Sequence, residues 1–159
     1  MIPIYISQSL QQVLLDRGID NYCPAYEGES AALDLYNAGP EIYVRPYKSI
    51  YDNVEIPTGL HIAIPRGYVG LITERGSIGK TDLKLLAGVV DTGFSGPIFV
   101  KCYSRNPELI WPIEPGAKLP FQLIVVANLT SFTQIDKSDF DEYHRQSKRQ
   151  SGSKGSSDG

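Results

Sequence analysis

Leu83-Lys-Leu-Leu-Ala-Gly-Val-Val-Asp-Thr-Gly-Phe-Ser-Gly-Pro-Ile-Phe-Val-Lys-Cys-Tyr103 decides how this chain is read. Two apolar runs, Leu83-Lys-Leu-Leu86 and Pro97-Ile-Phe-Val-Lys-Cys-Tyr103, flank the glycine-bounded stretch Gly88-Val-Val-Asp-Thr-Gly-Phe-Ser-Gly96. Short runs of this composition, punctuated by glycine and proline, predict strands joined by a turn. The turn holds one carboxylate, Asp91, and an aromatic, Phe94, three residues later. A carboxylate at a strand-to-turn junction can be held still and aimed at a water, and an aromatic beside it can cover a sugar or a base.

Working outward, the same punctuation recurs. Glu41-Ile-Tyr-Val44, Leu60-His-Ile-Ala-Ile64, Val69-Gly-Leu-Ile-Thr73, Leu109-Ile-Trp111 and Phe121-Gln-Leu-Ile-Val-Val126 are further short apolar runs. Several strands at this spacing predict an all-β sandwich or barrel, its edges closed or covered as in jelly rolls. The 159 residues suit one domain, and 42% hydrophobic residues suffice for a core of that size. Residues 6–18 predict a short helix with Ser7 or Ser9 as cap, Leu10, Val13 and Leu14 on one face, and Gly18 as the stop. Its expected role is packing or oligomer contact. Beyond Asn128 the strand pattern is lost: 138–149 is charged and polar, and 147–159 is Ser, Gly, Lys and Arg. By composition this end is flexible. The expected division is a β domain over 1–144 and a flexible Gly/Ser tail over 145–159 able to close over an active site, since successive Gly and Ser amides make a phosphate cradle.

Composition also excludes classes. A net charge of −3 carries no electrostatic footprint for nucleic acid. No apolar run reaches the ~20 residues of a membrane helix, and Met1-Ile-Pro-Ile-Tyr5 lacks the regions of a signal peptide. Cys23 and Cys102 read as reduced thiols of a cytoplasmic protein. With two His and two Cys unclustered, a protein-held zinc site is not expected.

Arg75-Gly-Ser-Ile-Gly-Lys80 places a guanidinium, a flexible Gly, a hydroxyl and an ammonium within six residues, which is phosphate chemistry. This segment and the Gly88–Gly96 stretch together resemble the trimeric dUTPase family (dUTP nucleotidohydrolases), of the dUTPase/dCTP deaminase superfamily. The family carries an Arg-Ser-Gly phosphate motif and then Gly-Val-Ile-Asp-x-x-Tyr-x-Gly. Three further segments resemble its motifs in order: Ser30-Ala-Ala-Leu-Asp-Leu-Tyr-Asn-Ala38, Pro115-Gly-Ala-Lys-Leu-Pro-Phe-Gln-Leu-Ile-Val125 and Arg149-Gln-Ser-Gly-Ser-Lys-Gly-Ser-Ser-Asp-Gly159.

The resemblance implies a distorted jelly roll of the dUTPase type that hydrolyses dUTP to dUMP and pyrophosphate. Asp91 would deprotonate a water that attacks the α-phosphorus, the task of a positioned general base. Phe94 would lie on the deoxyribose and exclude a 2′-hydroxyl. The hairpin leading into Asp91, with Leu86, Gly88 and Val90, would read the uracil edge with its backbone. Arg75, Gly76, Ser77 and Gln122 would bind phosphates, and Asp34 would help organise that end of the site. In the tail, Arg149, Gly155, Ser156 and Ser157 match the closing motif, and Lys154 stands where the family has its base-stacking Phe. Mg²⁺ would ride on substrate phosphates and water with no direct protein ligand. A homotrimer is implied, each site built from several subunits, as is a cytoplasmic location, or host cytoplasm or nucleus for a viral protein.

Departures keep alternatives open. Gly76 replaces a Ser, Lys118 replaces an Arg and keeps the charge without the planar fork, and one extra residue precedes Gln122. A bulge can absorb that insertion. A broader pyrimidine dNTP pyrophosphatase, acting on dCTP or a modified nucleotide, is one alternative. A catalytically weakened dUTPase-like binding or signalling protein is another. Deamination of dCTP is disfavoured, because Lys101 stands where the deaminases place their catalytic Glu.

Overall fold

The computed structural model describes residues 2–20, 22, 32–48 and 52–152, with side chains described as far as 147. Cys23 and the tail residues Lys154, Gly155, Ser156 and Ser157 lie outside the described residues. The chain forms two compact units, Met1–Leu129 and Thr130–Gly159.

Among its described residues the first unit is all-β apart from one α-helix and a 3₁₀ turn. In chain order its elements are β1 (Ile4–Ile6), α1 (Gln8–Asp16), β2 (Leu33–Tyr36), β3 (Ile42–Val44), β4 (Val54–Ile62), β5 (Tyr68–Glu74), the 3₁₀ turn Gly76–Lys80, β6 (Leu83–Leu86), β7 (Val89–Val90), β8 (Pro97–Ser104), β9 (Trp111–Ile113) and β10 (Lys118–Ala127). One sheet has the order β1-β4-β8-β6, a second β2-β10-β5-β7, and β3 pairs with β9 alone. Each of these strand pairs is antiparallel.

Period-two alternation builds the core between the sheets. β8 turns Ile98, Val100 and Cys102 inward and Phe99 and Lys101 outward, while β10 buries Leu119, Phe121 and Leu123. With Ile56, Leu60 and Ile62 of β4 and Leu35 of β2 these side chains form one continuous apolar cluster. Thr58, also buried, donates its hydroxyl to the Ile98 carbonyl at 2.7 Å, so its polarity is satisfied. Burial pushes the Cys102 thiol up to about 12, and it stays neutral inside this core.

α1 forms where its caps are. The Ser7 hydroxyl accepts from the Leu10 N–H at 3.2 Å, Leu10 and Leu14 are buried, and Gly18 follows the helix in the left-handed region at φ 66°. Burying a leucine side chain contributes about 2 kcal/mol, so these two anchor the helix. Gly59 makes room for it: its φ is +68°, its carbonyl accepts from the Ser7 N–H at 2.8 Å, and a Cβ there would lie 2.5 Å from the Ser7 hydroxyl.

The second unit contains α2 (Lys137–Gly152), so residues 147–152, expected from composition to be flexible, are helical, and the helix runs across the expected 144/145 division; residues 153–159 lie outside the described residues. Asp136 caps it, accepting from the Asp139 N–H at 2.9 Å through its carboxylate and from the Phe140 N–H at 3.0 Å through its carbonyl. Ion pairs Lys137–Asp141 and Glu142–Arg145 and the Gln146–Glu142 hydrogen bond run along it. Caps and polar pairs hold such a helix without the apolar stripe that a periodicity reading looks for. Arg149 lies within α2. Among the described residues no helix is long and apolar enough to cross a membrane.

Candidate active site

Two groups of the expected site residues are brought together, and they lie on opposite sides of β5. Ile72 and Thr73 show why, since successive residues of a strand face opposite ways. Ile72 lines an apolar cleft, whereas Thr73 accepts a hydrogen bond from Gln122 at 3.2 Å on the other side.

The cleft has a volume of about 370 Å³. Leu86, Gly88, Val90, Asp91 and Phe94 all line it, with Ile72 and Phe99 among their neighbours. The expected hairpin is here a corner. β6 pairs with β8 of one sheet and β7 with β5 of the other, so the chain changes sheets at Ala87 and Gly88. The backbone is special at both residues: Ala87 has φ +58° and Gly88 φ +155°. A Cβ on Gly88 would sit 2.7 Å from the Ile72 carbonyl oxygen, and the Gly88 carbonyl accepts from the Ile72 N–H at 2.7 Å. Among the described residues, no turn or loop hydrogen bond uses the Ala87 N–H and C=O or the Gly88 N–H. A donor and an acceptor edge of backbone thus stands beside an apolar slot, an arrangement suited to a flat heterocycle.

Glu74 fastens this corner. Its carboxylate accepts from the Leu85 N–H at 3.2 Å and pairs with Lys84 at 3.0 Å. Burial pushes the Glu74 carboxyl up, but the hydrogen bonds from Lys84 and Leu85 outweigh it and hold it below the usual glutamate range.

Asp91 follows β7 directly, and its carbonyl accepts from the Phe94 N–H at 3.1 Å to close the turn. Among the described residues no hydrogen bond or ion pair engages the Asp91 carboxylate. It is an exposed, uncommitted base at the cleft, and Phe94 beside it is 39% exposed.

The second group is polar. The Asp34 carboxylate on β2 accepts from Arg75 Nε at 2.9 Å and from Lys118 Nζ at 2.7 Å. Gln122 stands opposite Asp34 across β10 and β2, and opposite Thr73 across β10 and β5. The extra residue before Gln122 is taken up in a bulge. Lys118 pairs with Tyr36 and Gln122 with Asp34, so four steps along β10 match two along β2. The bulge brings Lys118 and Gln122 of one strand to the same carboxylate region. Buried Asn37 supports it, donating to the Pro40 and Glu114 carbonyls at 2.8 and 3.1 Å and so fixing the turn that enters β10.

Arg75 precedes the 3₁₀ turn Gly76–Lys80, and its N–H donates to the Pro120 carbonyl at 2.9 Å. Gly76 and Ser77 are exposed at the start of that turn, where backbone N–H groups lack intrahelical partners. Ser77 and Lys80 line a second cleft with Lys118. Three cations (Arg75, Lys80 and Lys118), two carboxylates (Asp34 and Glu114), a hydroxyl and open amides make a surface with a net positive charge, fit for phosphate.

Sequence reasoning missed Thr73, Glu74 and Glu55 as partners of site residues, and Lys101 as a side chain lining the cleft. Register assigns Thr73, Glu55 and Lys101, and a side-chain contact between β5 and β6 assigns Glu74; neither is visible within any one segment.

The dUTPase family model matches residues 19–158 of this chain. A deoxyuridine 5′-triphosphate nucleotidohydrolase of Mycolicibacterium vanbaalenii is 32% identical over 136 residues, covering 82% of this chain and 84% of that protein. Among solved structures, the dUTPase of Staphylococcus bacteriophage 80alpha with dUPNHPP superposes with a TM-score of 0.64 at 18% identity, covering 86% of this chain and 88% of that one. A variant dUTPase from phage phi11 of S. aureus, described with a structural Mg(II) ion, gives 0.64 at 19% identity, covering 86% and 97%.

Proposed function

This chain belongs to the dUTPase family, and from that premise we propose that it hydrolyses dUTP to dUMP and pyrophosphate with Asp91 as the base. The observation that carries the assignment is the Ala87–Gly88 corner: open backbone groups and an apolar slot end at an uncommitted carboxylate. The slot takes the uracil ring, Phe94 covers the deoxyribose, and Asp91 accepts a proton from the attacking water. Fixing that water opposite the departing pyrophosphate supplies the alignment that in-line attack requires.

The triphosphate needs the cations of the second group. Arg75, Lys118, Ser77 and Gln122 form that surface, but none of them lines the Asp91 cleft. One chain therefore offers two half-sites facing apart across β5. Joining the base cleft of one copy to the phosphate surface of another completes the site, which supports a homotrimer.

Among the described residues no group of three or more His, Cys, Asp or Glu gathers, and Asp34 is already engaged by two cations. This donor set fits Mg²⁺ held by substrate phosphates and water. Bound there, the ion would supply neutralisation of phosphate charge beside that given by Arg75 and Lys118. Arg149 and the following Lys154, Gly155, Ser156 and Ser157 are proposed to close on the phosphates.

The test is pyrophosphate release from dUTP, dCTP, dTTP and UTP with Mg²⁺. Release from dUTP, lost in Asp91→Asn, is expected. Comparable release from dCTP would replace the assignment with a broader pyrimidine pyrophosphatase. Nucleotide binding without release would replace it with a binding protein.

A further inference from the structure

We propose that Lys101 is a specificity-determining residue of the Asp91 cleft, donating a hydrogen bond to the oxygen at ring position 4 of uracil and so disfavouring cytosine; this rests on the dUTP reading above. Among the side chains lining that cleft, Asp91 and Lys101 are the charged ones, and the rest are apolar. Their places are set by β8. The Asp91–Phe94 turn lies before the start of the strand at Pro97, and Lys101 lies four residues along it, about 13 Å at ~3.3 Å per residue. With the sugar against Phe94, ring atom N1 faces the turn. Position 4 is the ring atom opposite N1, so its substituent points toward the Lys101 end.

The chemistry at that substituent decides the preference. Lysine carries three donors and no acceptor. Uracil presents a carbonyl oxygen there, which accepts. Cytosine presents an amine, whose hydrogens meet the ammonium hydrogens. Lys101 is also held in place. It stands in a cross-strand row, opposite Leu86 on β6 and opposite Glu55 on β4. Glu55 Oε1 takes one of its donors at 2.9 Å and leaves the others for a ligand. Both side chains are about half exposed, 49% and 52%, so the ammonium is within reach of a ligand in the cleft. A site built to hydrogen-bond one substrate group rejects an analogue lacking it far more strongly than shape alone does.

Steady-state pyrophosphate release from dUTP and dCTP is compared for the wild type, Lys101→Met, Lys101→Arg and Glu55→Gln. Lys101→Met is expected to cut the dUTP-over-dCTP ratio of kcat/KM at least ten-fold, through a raised KM for dUTP with kcat held within a few-fold. Lys101→Arg, which keeps a donor, is expected to retain most of the ratio. Glu55→Gln leaves the Lys101 donors in the cleft but loosens their anchor, and is expected to cost clearly less of the ratio than Lys101→Met. An unchanged ratio in Lys101→Met, or an equal loss in Glu55→Gln, overturns the role of Lys101 and leaves the dUTP assignment standing. Failure of the wild type to release pyrophosphate from dUTP overturns both.

Discussion

The Glu74 carboxylate receives the backbone N–H of Leu85 at 3.2 Å, and by that bond the last residue of β5 holds the strand that enters the cleft corner. Glu74→Gln keeps the shape but loses the ion pair with Lys84. A loss of about 1 kcal/mol of stability is expected, together with a raised KM for dUTP, because the corner loosens. The pH dependence has a definite sign. The folded-state pKa of Glu74 lies below its unfolded value, so its contribution is present above about pH 4.3 and is lost as pH falls through the lowered value. Urea midpoints at pH 7 and at pH 3 should differ less in Glu74→Gln than in the wild type.

Asp91→Asn should leave the melting temperature within a degree or two, since no protein partner is lost. Activity should fall by roughly 10²–10⁴, the range for removal of a general base. The loss should appear in kcat, with KM for dUTP little changed. A loss confined to KM would assign Asp91 to binding instead.

Arg75→Ala removes a charged donor from the phosphate surface, and hydrogen bonds to charged groups contribute about 1.5–3 kcal/mol. A rise in KM for dUTP of roughly 10–100-fold follows, while deoxyuridine, which has no phosphate, should bind as before. Asp34→Asn should cost under about 1 kcal/mol of stability, because the side chains in its ion pairs are 26–37% exposed. It should still raise KM, because Arg75 and Lys118 lose the carboxylate that orients them.

Gly88→Ala should be the most damaging change to the cleft. The added methyl would stand 2.7 Å from the Ile72 carbonyl oxygen on a backbone at φ +155°. A destabilisation of about 2 kcal/mol or more is expected, measurable by denaturant unfolding, with weaker nucleotide binding. Gly76→Ala, where a Cβ meets nothing within 4 Å, is the matched control and should be tolerated.

Much of this was legible in the sequence. β8 and β5 declared themselves by apolar runs set off by glycine and proline, and the Gly88–Gly96 stretch located Asp91 and Phe94 at one cleft. α1 was readable from its cap, its buried Leu10 and Leu14, and Gly18. β1 and β7 were not, since two or three residues hold no period. α2 escaped because its stability lies in caps and charge pairs along a polar surface. The corner at Ala87 was taken for a hairpin, because whether two neighbouring strands pair with each other or with different sheets depends on partners far away in sequence. The insertion before Gln122 was visible, but which carboxylate its bulge would serve was not.

The placement of Ile72 and Thr73 on opposite faces of β5 has a consequence for mixtures of defective chains. On the composite-site reading, a chain lacking Asp91 still owns a sound phosphate surface, and a chain lacking Arg75 still owns a sound base cleft. Two impaired preparations, Asp91→Asn and Arg75→Ala, unfolded together, refolded as hybrids and assayed at dUTP well below the raised KM, should recover more turnover than the two show separately. In a cell carrying both alleles, each lesion would mask the other.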